Sequence, residues 1–129
     1  YMLLAGDPGI GKSTLMLQSA GKVAAAGKKV LYVAGEESPH QIRLRAQRLG
    51  LGDSAILLYS GTDIHDVLEE IRASQPDLLI LDSIQAVYDP ETASPPGSTS
   101  QIRTCASLVM AVVKAMDVST VMVGHVTKE

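Results

Sequence analysis

The sequence predicts an α/β protein built on one mainly parallel β-sheet. Apolar runs of four to six residues alternate with longer segments that have the apolar period of an amphipathic helix, a pattern typical of parallel strands joined by crossover helices. A chain of 129 residues with 46% hydrophobic side chains can bury a core without a disulfide or a zinc site, and it contains a single cysteine. The predicted strands are Met2 to Ala5, Lys29 to Ala34, Ala55 to Tyr59, Leu78 to Asp82 and Thr120 to Gly124.

The segments between these strands predict helices. The first, Leu15 to Ala26, ends before Gly27. Ser38 is the predicted N-cap of the second helix, and Pro39 is its first residue. Two further helices have apolar side chains at positions i, i+3, i+4 and i+7, which indicates that one face of each packs on the sheet. These side chains are Ile64, Val67, Leu68 and Ile71 in the third helix and Ile102, Cys105, Ala106 and Val109 in the fourth.

One irregular segment is longer than a connection between a strand and a helix requires. It runs from about Gln85 to Thr99 and contains three prolines and Gly97. We expect a functional loop here.

A phosphate-binding loop follows the first predicted strand. The pattern G-x-x-x-x-G-K-[ST] is matched by Gly6, Asp7, Pro8, Gly9, Ile10, Gly11, Lys12 and Ser13. In such a loop the backbone N–H groups and the helix N-terminus face the phosphates, Lys12 reaches the terminal phosphates and Ser13 binds Mg²⁺. A guanine-specific N-K-x-D motif is absent from the sequence, which disfavours GTP.

Acidic residues follow two other predicted strands. Asp82 ends an aliphatic strand, where a carboxylate can hold the magnesium ion of a nucleotide site. Glu36 and Glu37 follow the second strand, and we expect Glu36, the nearer one, to orient and activate the attacking water. The alternative is that both glutamates lie in a solvated loop before the next helix. His125 ends the fifth strand, where it is either a sensor of the γ-phosphate or a structural histidine.

The charges of the chain point to no partner by themselves. The net charge of −3 disfavours binding to nucleic acid by bulk charge, and the absence of Phe and Trp disfavours an aromatic stacking surface. Arg43, Arg45 and Arg48 are expected on the solvated face of the second helix. No apolar run approaches the roughly 20 residues that span a bilayer, so we expect a cytoplasmic protein without membrane contact.

Several blocks of the chain together resemble the bacterial RadA (Sms) family. The Gly-Glu-Glu-Ser, Asp-Ser-Ile-Gln and Gly-His-Val-Thr-Lys blocks are more specific than the phosphate loop, which many families share. The blocks are residues 6–14, 32–38, 41–46 with 48–50, 81–85, 96–98 with 100–103, and 123–128.

The resemblance implies a three-layer α/β/α P-loop ATPase core of the RecA type. Its sheet would have the strand order 3-2-4-5-1, with further strands beyond residue 129. The implied activity is that of a DNA-dependent ATPase of recombinational repair. It would use ATP and Mg²⁺ to promote branch migration on single-stranded DNA together with RecA, as a homo-hexamer related to replicative helicases.

The resemblance also assigns roles to individual residues. Lys12, Ser13 and Thr14 would form the Walker A site and Asp82 the Walker B acid. Glu36 would be the catalytic glutamate, with Glu37 as the second candidate, and His125 would be the sensor. The segment from Gln85 to Thr99 would be a DNA-facing loop of the ring interior, with Arg103 as a possible phosphate contact.

Three features of the family have no counterpart in these residues. They are the amino-terminal four-cysteine zinc finger, the only place where zinc is expected, the Lys-Asn-Arg-Phe-Gly motif and the Lon-protease-like domain. We therefore expect residues 1–129 to be a partial RecA-like core from a longer protein.

Two other functions remain open from the sequence. One is a small-molecule phosphotransferase on the same scaffold, for which the arginines of the second helix would supply an acceptor lid. The other is a nucleotide-gated binding module without hydrolysis, which the presence of both Glu36 and Asp82 disfavours.

Overall fold

The structure, a computed structural model, describes residues 2–6, 10–35, 37–51 and 56–125, with side chains at 15–35, 37–51 and 56–124. Its strands are β1 (Met2–Gly6), β2 (Val30–Ala34), β3 (Ile56–Ser60), β4 (Leu78–Asp82) and β5 (Ser119–His125). Its helices are α1 (Ile10–Ala25), α2 (Pro39–Arg48), α3 (Ile64–Ser74) and α4 (Thr99–Met116), and a 3₁₀ turn covers Ile84–Ala86.

The five strands form one parallel sheet in the order β1-β5-β4-β2-β3. This confirms the predicted order and places β1 at one edge of the sheet within the described part of the chain. The register aligns the carboxyl ends of the strands: Ala34 pairs with Ser60 on one side and Asp82 on the other, and Gly6 pairs with His125. The loops that follow β1, β2 and β4 therefore leave from the same edge of the sheet, where α/β proteins bind their ligands.

Helices cover both faces of the sheet, which gives the predicted three layers. Alternate side chains of a strand point to opposite faces, so β2 contributes Tyr32 to one core and Leu31 and Val33 to the other. One core lies under α1 and α2, and the other lies under α3 and α4. Cys105 is buried in the second core, where burial raises the pKa of its thiol to about 11, so it acts as a small apolar side chain.

The local signals at the helix ends act as predicted. Ser38 caps α2 by accepting a hydrogen bond from the Gln41 N–H, while the Gln41 side chain accepts one from the Ser38 N–H. Gly27 has a φ of +88°, a left-handed conformation that glycine adopts without strain, so the chain can turn there after α1. None of the helices in the described ranges has the length and hydropathy needed to cross a membrane.

The strand boundaries differ from the prediction by at most one residue at either end, and two other features differ more. Helix α1 begins at Ile10 and not at Leu15, because the first turn consists of phosphate-loop residues that carry no apolar period. The segment from Gln85 to Thr99 is not irregular throughout, since the 3₁₀ turn lies at its start and α4 begins at Thr99 with Ser98 as N-cap.

Candidate functional site

The predicted phosphate loop has the strand-to-helix context that its motif requires. Strand β1 ends at Gly6 and α1 begins at Ile10, so the backbone of Gly11, Lys12 and Ser13 lies in the first turn of the helix. The N–H groups of a first helical turn have no partner within the helix, and they form an anion site. Asp7, Pro8 and Gly9 lie outside the described residues, and so do the side chains of Lys12, Ser13 and Thr14.

Asp82 lies at the end of β4 on the same face of the sheet as α1. Its neighbour two positions earlier, Ile80, packs in the core under α1 and α2, and alternate side chains of a strand share a face. The Asp82 carboxylate is partly exposed, and its Oδ2 accepts a hydrogen bond of 2.9 Å from the hydroxyl of Tyr32 on β2. Thus the predicted metal ligand lies at the carboxyl edge with one oxygen fixed by a buried donor.

Tyr32 is one of the most buried residues of the chain, with 1% of its surface exposed. Burial, and after it the negative charge of Asp82, raises the pKa of its phenol far above the ordinary value of 10.0. The phenol is therefore protonated and donates to Asp82 throughout the physiological pH range. Tyr32 was not predicted as a site residue, because its contact with Asp82 spans 50 positions.

Ser83, which follows Asp82, has a buried hydroxyl that lacks a hydrogen-bond partner among the described atoms. A buried hydroxyl without a partner is costly, and it is explained where a water molecule or ligand completes it. Hard oxygen donors such as carboxylates and hydroxyls are the ligands that Mg²⁺ accepts, directly or through water. Asp82 therefore offers an oxygen ligand that suits a magnesium–nucleotide complex, and the buried Ser83 hydroxyl follows it directly in the chain.

The two adjacent glutamates after β2 differ in what the structure shows of them. Glu36 lies outside the described residues, so its predicted role stays a prediction. The carboxylate of Glu37 pairs with the guanidinium of Arg45 on α2. Ser60 at the end of β3 donates a hydrogen bond of 3.1 Å to the Glu37 carbonyl. Glu37 is thus held at both its side chain and its backbone.

Arg45 contradicts the expectation that all three arginines of α2 lie on a solvated face. Arg43 and Arg48 are exposed, whereas Arg45 is half-buried, with 21% of its side chain exposed. Its Nη1 is buried and has no hydrogen-bond partner in the described part of the chain. The difference arises because Glu37 lies within reach of Arg45, a contact that the period of α2 does not reveal.

Gly35, just before Glu36, packs directly on the 3₁₀ turn after β4. A methyl group at position 35 would lie 2.3 Å from the Cβ of Ala86, so only glycine fits against that turn. The Gly35 N–H also donates to the Asp82 carbonyl at 3.0 Å. The backbone leading into Glu36 is therefore positioned by Asp82 and Ala86.

His125 ends β5 beside β1, since it pairs in register with Gly6 at the start of the phosphate loop. Its backbone thus lies next to the predicted phosphate site, and its side chain lies outside the described ones. Its role as a sensor stays a prediction.

The long loop before α4 is organised around Gln101, which is 1% exposed. The Gln101 Oε1 accepts from the Asp89 N–H at 2.8 Å, while Nε2 donates to the carbonyls of Asp89 at 3.0 Å and Ser94 at 2.8 Å. The sequence placed Gln101 only within a block of family resemblance, so this function was missed. A buried glutamine that replaces missing backbone hydrogen bonds gives the loop a fixed shape.

The same loop is tied to α3 by His65. Its Nε2 lies 3.0 Å from Asp89 Oδ1 and 3.6 Å from Glu91 Oε2. Among the described residues these three form the one group whose ligand atoms all lie within 4.8 Å of one another, close enough to hold a metal ion. Asp89 Oδ1 also accepts from the Glu91 N–H, so the group is a hydrogen-bonded connection between α3 and the loop without any ion.

Comparisons with known proteins identify a family and relatives that this chain resembles. A family model described as an AAA domain matches residues 1–129. The chain is 48% identical over 126 residues to DNA repair protein RadA of Chlamydia trachomatis serovar D, and 43% identical over 128 residues to that of Bacillus subtilis strain 168. These alignments cover 98% and 99% of this chain, and 28% of each relative. The chain thus spans little more than a quarter of the relatives' length, and the resemblance to the RadA family is confirmed over that part.

Two solved structures have the same fold. One is a DnaB-like replicative helicase studied with its primase, with a TM-score of 0.81 and 16% identity over 99% of this chain and 39% of that chain. The other is described as an ATPase domain, with the same TM-score and identity over 98% of this chain and 57% of that one. They confirm the predicted P-loop ATPase fold. Because the AAA domain model matches its whole length, the chain belongs to the AAA domain family.

Proposed function

We propose that this chain is the ATP-hydrolysing core of a cytoplasmic DNA repair protein that promotes branch migration on single-stranded DNA together with RecA. The observation that carries the proposal is the Asp82 carboxylate, fixed by Tyr32 on the α1 face at the edge where β1 leads into the phosphate-loop motif. Relatives named DNA repair protein RadA and the fold of a replicative helicase support the class of partner.

The residues of the phosphate loop bind and orient the nucleotide. The N–H groups in the first turn of α1 and the ammonium group of Lys12 attract the phosphates of ATP. Ser13 and Asp82 would hold Mg²⁺, which supplies positive charge to the phosphates when it is bound. The Thr14 hydroxyl completes the Walker A site in this proposal. These groups act by position and charge, which is most of what phosphoryl transfer requires.

Glu36 is the proposed general base. Glu37 is the weaker candidate, because its carboxylate is already engaged by the Arg45 guanidinium and is not free to hold an attacking water. Gly35 supports the assignment, since its contact with Ala86 and its hydrogen bond to the Asp82 carbonyl fix the backbone just before Glu36. Glu36 would orient the attacking water and accept its proton, and His125 would report the γ-phosphate.

Single-stranded DNA would bind on the ordered loop between β4 and α4. Gln101 holds that loop in one shape, and a fixed backbone can present several groups to a strand at once. Arg103 is exposed on α4 just after the loop and is a candidate phosphate contact. A homo-hexamer would place six such loops around one strand and would supply the cation of a neighbouring subunit to each ATP site. Binding of this kind weakens steeply with salt.

The phosphotransferase alternative loses its main support. It required the arginines of α2 to cover an acceptor pocket, whereas Arg45 is engaged with Glu37. Two exposed arginines on one helix do not make a lid.

The deciding experiment is steady-state ATP hydrolysis by the full-length protein, with and without single-stranded DNA, beside the Lys12→Ala variant. We expect hydrolysis that DNA stimulates and that the substitution abolishes. Hydrolysis that is indifferent to DNA would contradict the assigned partner, and hydrolysis that survives Lys12→Ala would contradict the assigned site.

A further inference from the structure

The hydrogen bond between Tyr32 and Asp82 joins two neighbouring strands at the edge of the sheet. Tyr32 pairs in register with Ile80, and Asp82 lies two positions further along β4. All three side chains share one face, so the phenol reaches diagonally along the sheet to Asp82 Oδ2 at 2.9 Å. The ring of Tyr32 lies in the core under α1 and α2, which leaves it no freedom to move away.

A phenol in this position restrains the orientation of the carboxylate more than a water molecule would. It is a neutral donor on a rigid strand, and a hydrogen bond to a charged oxygen is about twice as strong as one between neutral groups. It fixes the rotation of the carboxylate while leaving its negative charge in place. Partners of metal-binding carboxylates and histidines have this effect in many metal sites, where they orient the ligand and set the affinity for the metal.

We propose that Tyr32 is a positioning residue for the magnesium site, and that it acts by holding Asp82 Oδ2 so that the carboxylate keeps the orientation in which it binds the metal. This inference rests on the proposed function, because it takes Asp82 to be a magnesium ligand. In this role Tyr32 acts through Asp82 and not by binding the metal or the nucleotide itself.

The charges around the phenol support this role. The charge of Glu37 raises the pKa of the Tyr32 phenol and that of Arg45 lowers it, and each effect is smaller than that of Asp82. Arg45 and Glu37 are paired with each other, which leaves Asp82 as the hydrogen-bond acceptor of the phenol. The contact therefore connects β2, two residues before its end, with the proposed metal ligand on β4.

A purely structural role for Tyr32 makes a different prediction. If the hydroxyl only satisfies its own hydrogen bond in the core, then removing it lowers stability and leaves the metal dependence unchanged. If it positions Asp82, its removal changes the affinity for the metal even at temperatures where the protein is fully folded.

The test uses the full-length protein with the variant Tyr32→Phe, which keeps the ring and removes the hydroxyl. The matched control is Tyr59→Phe, a tyrosine on the adjacent strand β3 that packs against the core on the opposite face of the sheet. The readouts are the affinity for Mn²⁺ in the presence of a non-hydrolysable ATP analogue, measured by electron paramagnetic resonance, and the Mg²⁺ concentration for half-maximal ATP hydrolysis.

We expect Tyr32→Phe to weaken Mn²⁺ binding and to raise the half-maximal Mg²⁺ concentration about 10- to 100-fold, with hydrolysis largely restored at high Mg²⁺. Tyr59→Phe should equal the wild type in both readouts. Equal metal dependence in Tyr32→Phe and wild type would overturn the inference.

Two further measurements keep the result unambiguous. All proteins are compared at one temperature below the unfolding transition of the least stable variant, so a loss of stability cannot imitate a loss of metal affinity. Asp82→Asn tests the proposed metal ligand itself. If neither Tyr32→Phe nor Asp82→Asn changes the metal dependence, the proposed site is wrong. If Asp82→Asn changes the metal dependence and Tyr32→Phe does not, only the role of Tyr32 is wrong.

Discussion

Arg45 and Glu37 form an ion pair that ties α2 to the segment leading out of β2. Both side chains are half-buried, so each compensates a charge that would otherwise be poorly solvated. The pair gives Glu37 a structural role and leaves its neighbour, Glu36, as the candidate for chemistry.

The first prediction separates the two glutamates. We expect Glu36→Gln to bind ATP and to reduce turnover by about 10²-fold or more, because the amide cannot accept a proton from water. Glu37→Gln should reduce turnover by less than about tenfold, since an amide can still accept a hydrogen bond from Arg45. Single-turnover hydrolysis together with ATP-binding measurements on the full-length protein checks both. Full turnover in Glu36→Gln together with lost turnover in Glu37→Gln would move the base to Glu37.

A second prediction concerns the cation of this pair. Arg45→Ala leaves Glu37 partly buried without its partner and should lower the free energy of unfolding by about 1–3 kcal/mol. Arg43→Ala, on the same helix but exposed, should change it by less than about 0.5 kcal/mol. Urea unfolding curves measure both values. Equal stabilities of the two variants would show that the Arg45 pair contributes nothing beyond a surface charge.

The difference between Arg43 and Arg45 also shows what a sequence can and cannot reveal. The strands and the phosphate loop follow from local patterns, namely short apolar runs and a fixed spacing of glycines and lysine. The strand order came from family resemblance, because no local pattern tells which strands pair. Tyr32, Arg45 and Gln101 were missed as site or loop residues because their roles depend on contacts with distant residues, such as Asp82 50 positions from Tyr32.

A third prediction uses the contact between Gly35 and Ala86. Gly35→Ala should lower the free energy of unfolding by about 1–3 kcal/mol, because the two Cβ atoms would be 2.3 Å apart. It should also slow ATP hydrolysis, since the backbone before Glu36 must shift. In the double variant Gly35→Ala with Ala86→Gly, the nearest remaining atoms lie at 3.4 and 3.5 Å, which is ordinary contact, so stability and hydrolysis should largely recover.

Ala86→Gly alone is the control for this exchange of one methyl group. It measures how much a glycine in the 3₁₀ turn lowers the free energy of unfolding. This loss is subtracted from the result of the double variant. A double variant no better than Gly35→Ala would show that the close approach of these two residues does not limit position 35.

A fourth prediction tests whether the shape of the loop before α4 matters for DNA. Gln101→Leu leaves the Asp89 N–H and the carbonyls of Asp89 and Ser94 without their partner. We expect this loss to lower the free energy of unfolding by about 2–4 kcal/mol. Below its unfolding transition the variant should bind ATP normally and bind single-stranded DNA more weakly than the wild type. Gln47→Leu, which replaces an exposed glutamine on α2, is the control. Unchanged DNA affinity in Gln101→Leu would exclude this loop as the DNA contact.

The fifth prediction follows from the contact of His65 with Asp89, and its sign is set by the two pKa shifts. The hydrogen bond to Asp89 is the main cause that raises the pKa of His65 above its ordinary 6.5, and the nearby Asp63 and Glu91 act in the same direction. Protonated His65 therefore stabilises the fold, and this contribution is complete below pH 6.5 and is lost as the pH rises through the raised pKa. The hydrogen bond from the Glu91 N–H, and after it the one with His65, lower the pKa of Asp89 from 3.8. The contribution of ionised Asp89 to the stability of the fold is therefore lost only as the pH falls through that lowered pKa.

The stabilisation by this pair should thus be largest between about pH 4 and 6.5 and disappear at higher pH. Urea unfolding of wild type and His65→Asn at pH 5.5 and 8.5 measures it as the difference between the two proteins. We expect that difference to be larger at pH 5.5, because a larger fraction of His65 is charged there. His40→Asn, at an exposed histidine on α2, corrects for the loss of a histidine as such. A difference of the same size at both pH values would mean that the neutral hydrogen bond, and not the charge on His65, connects the loop to α3.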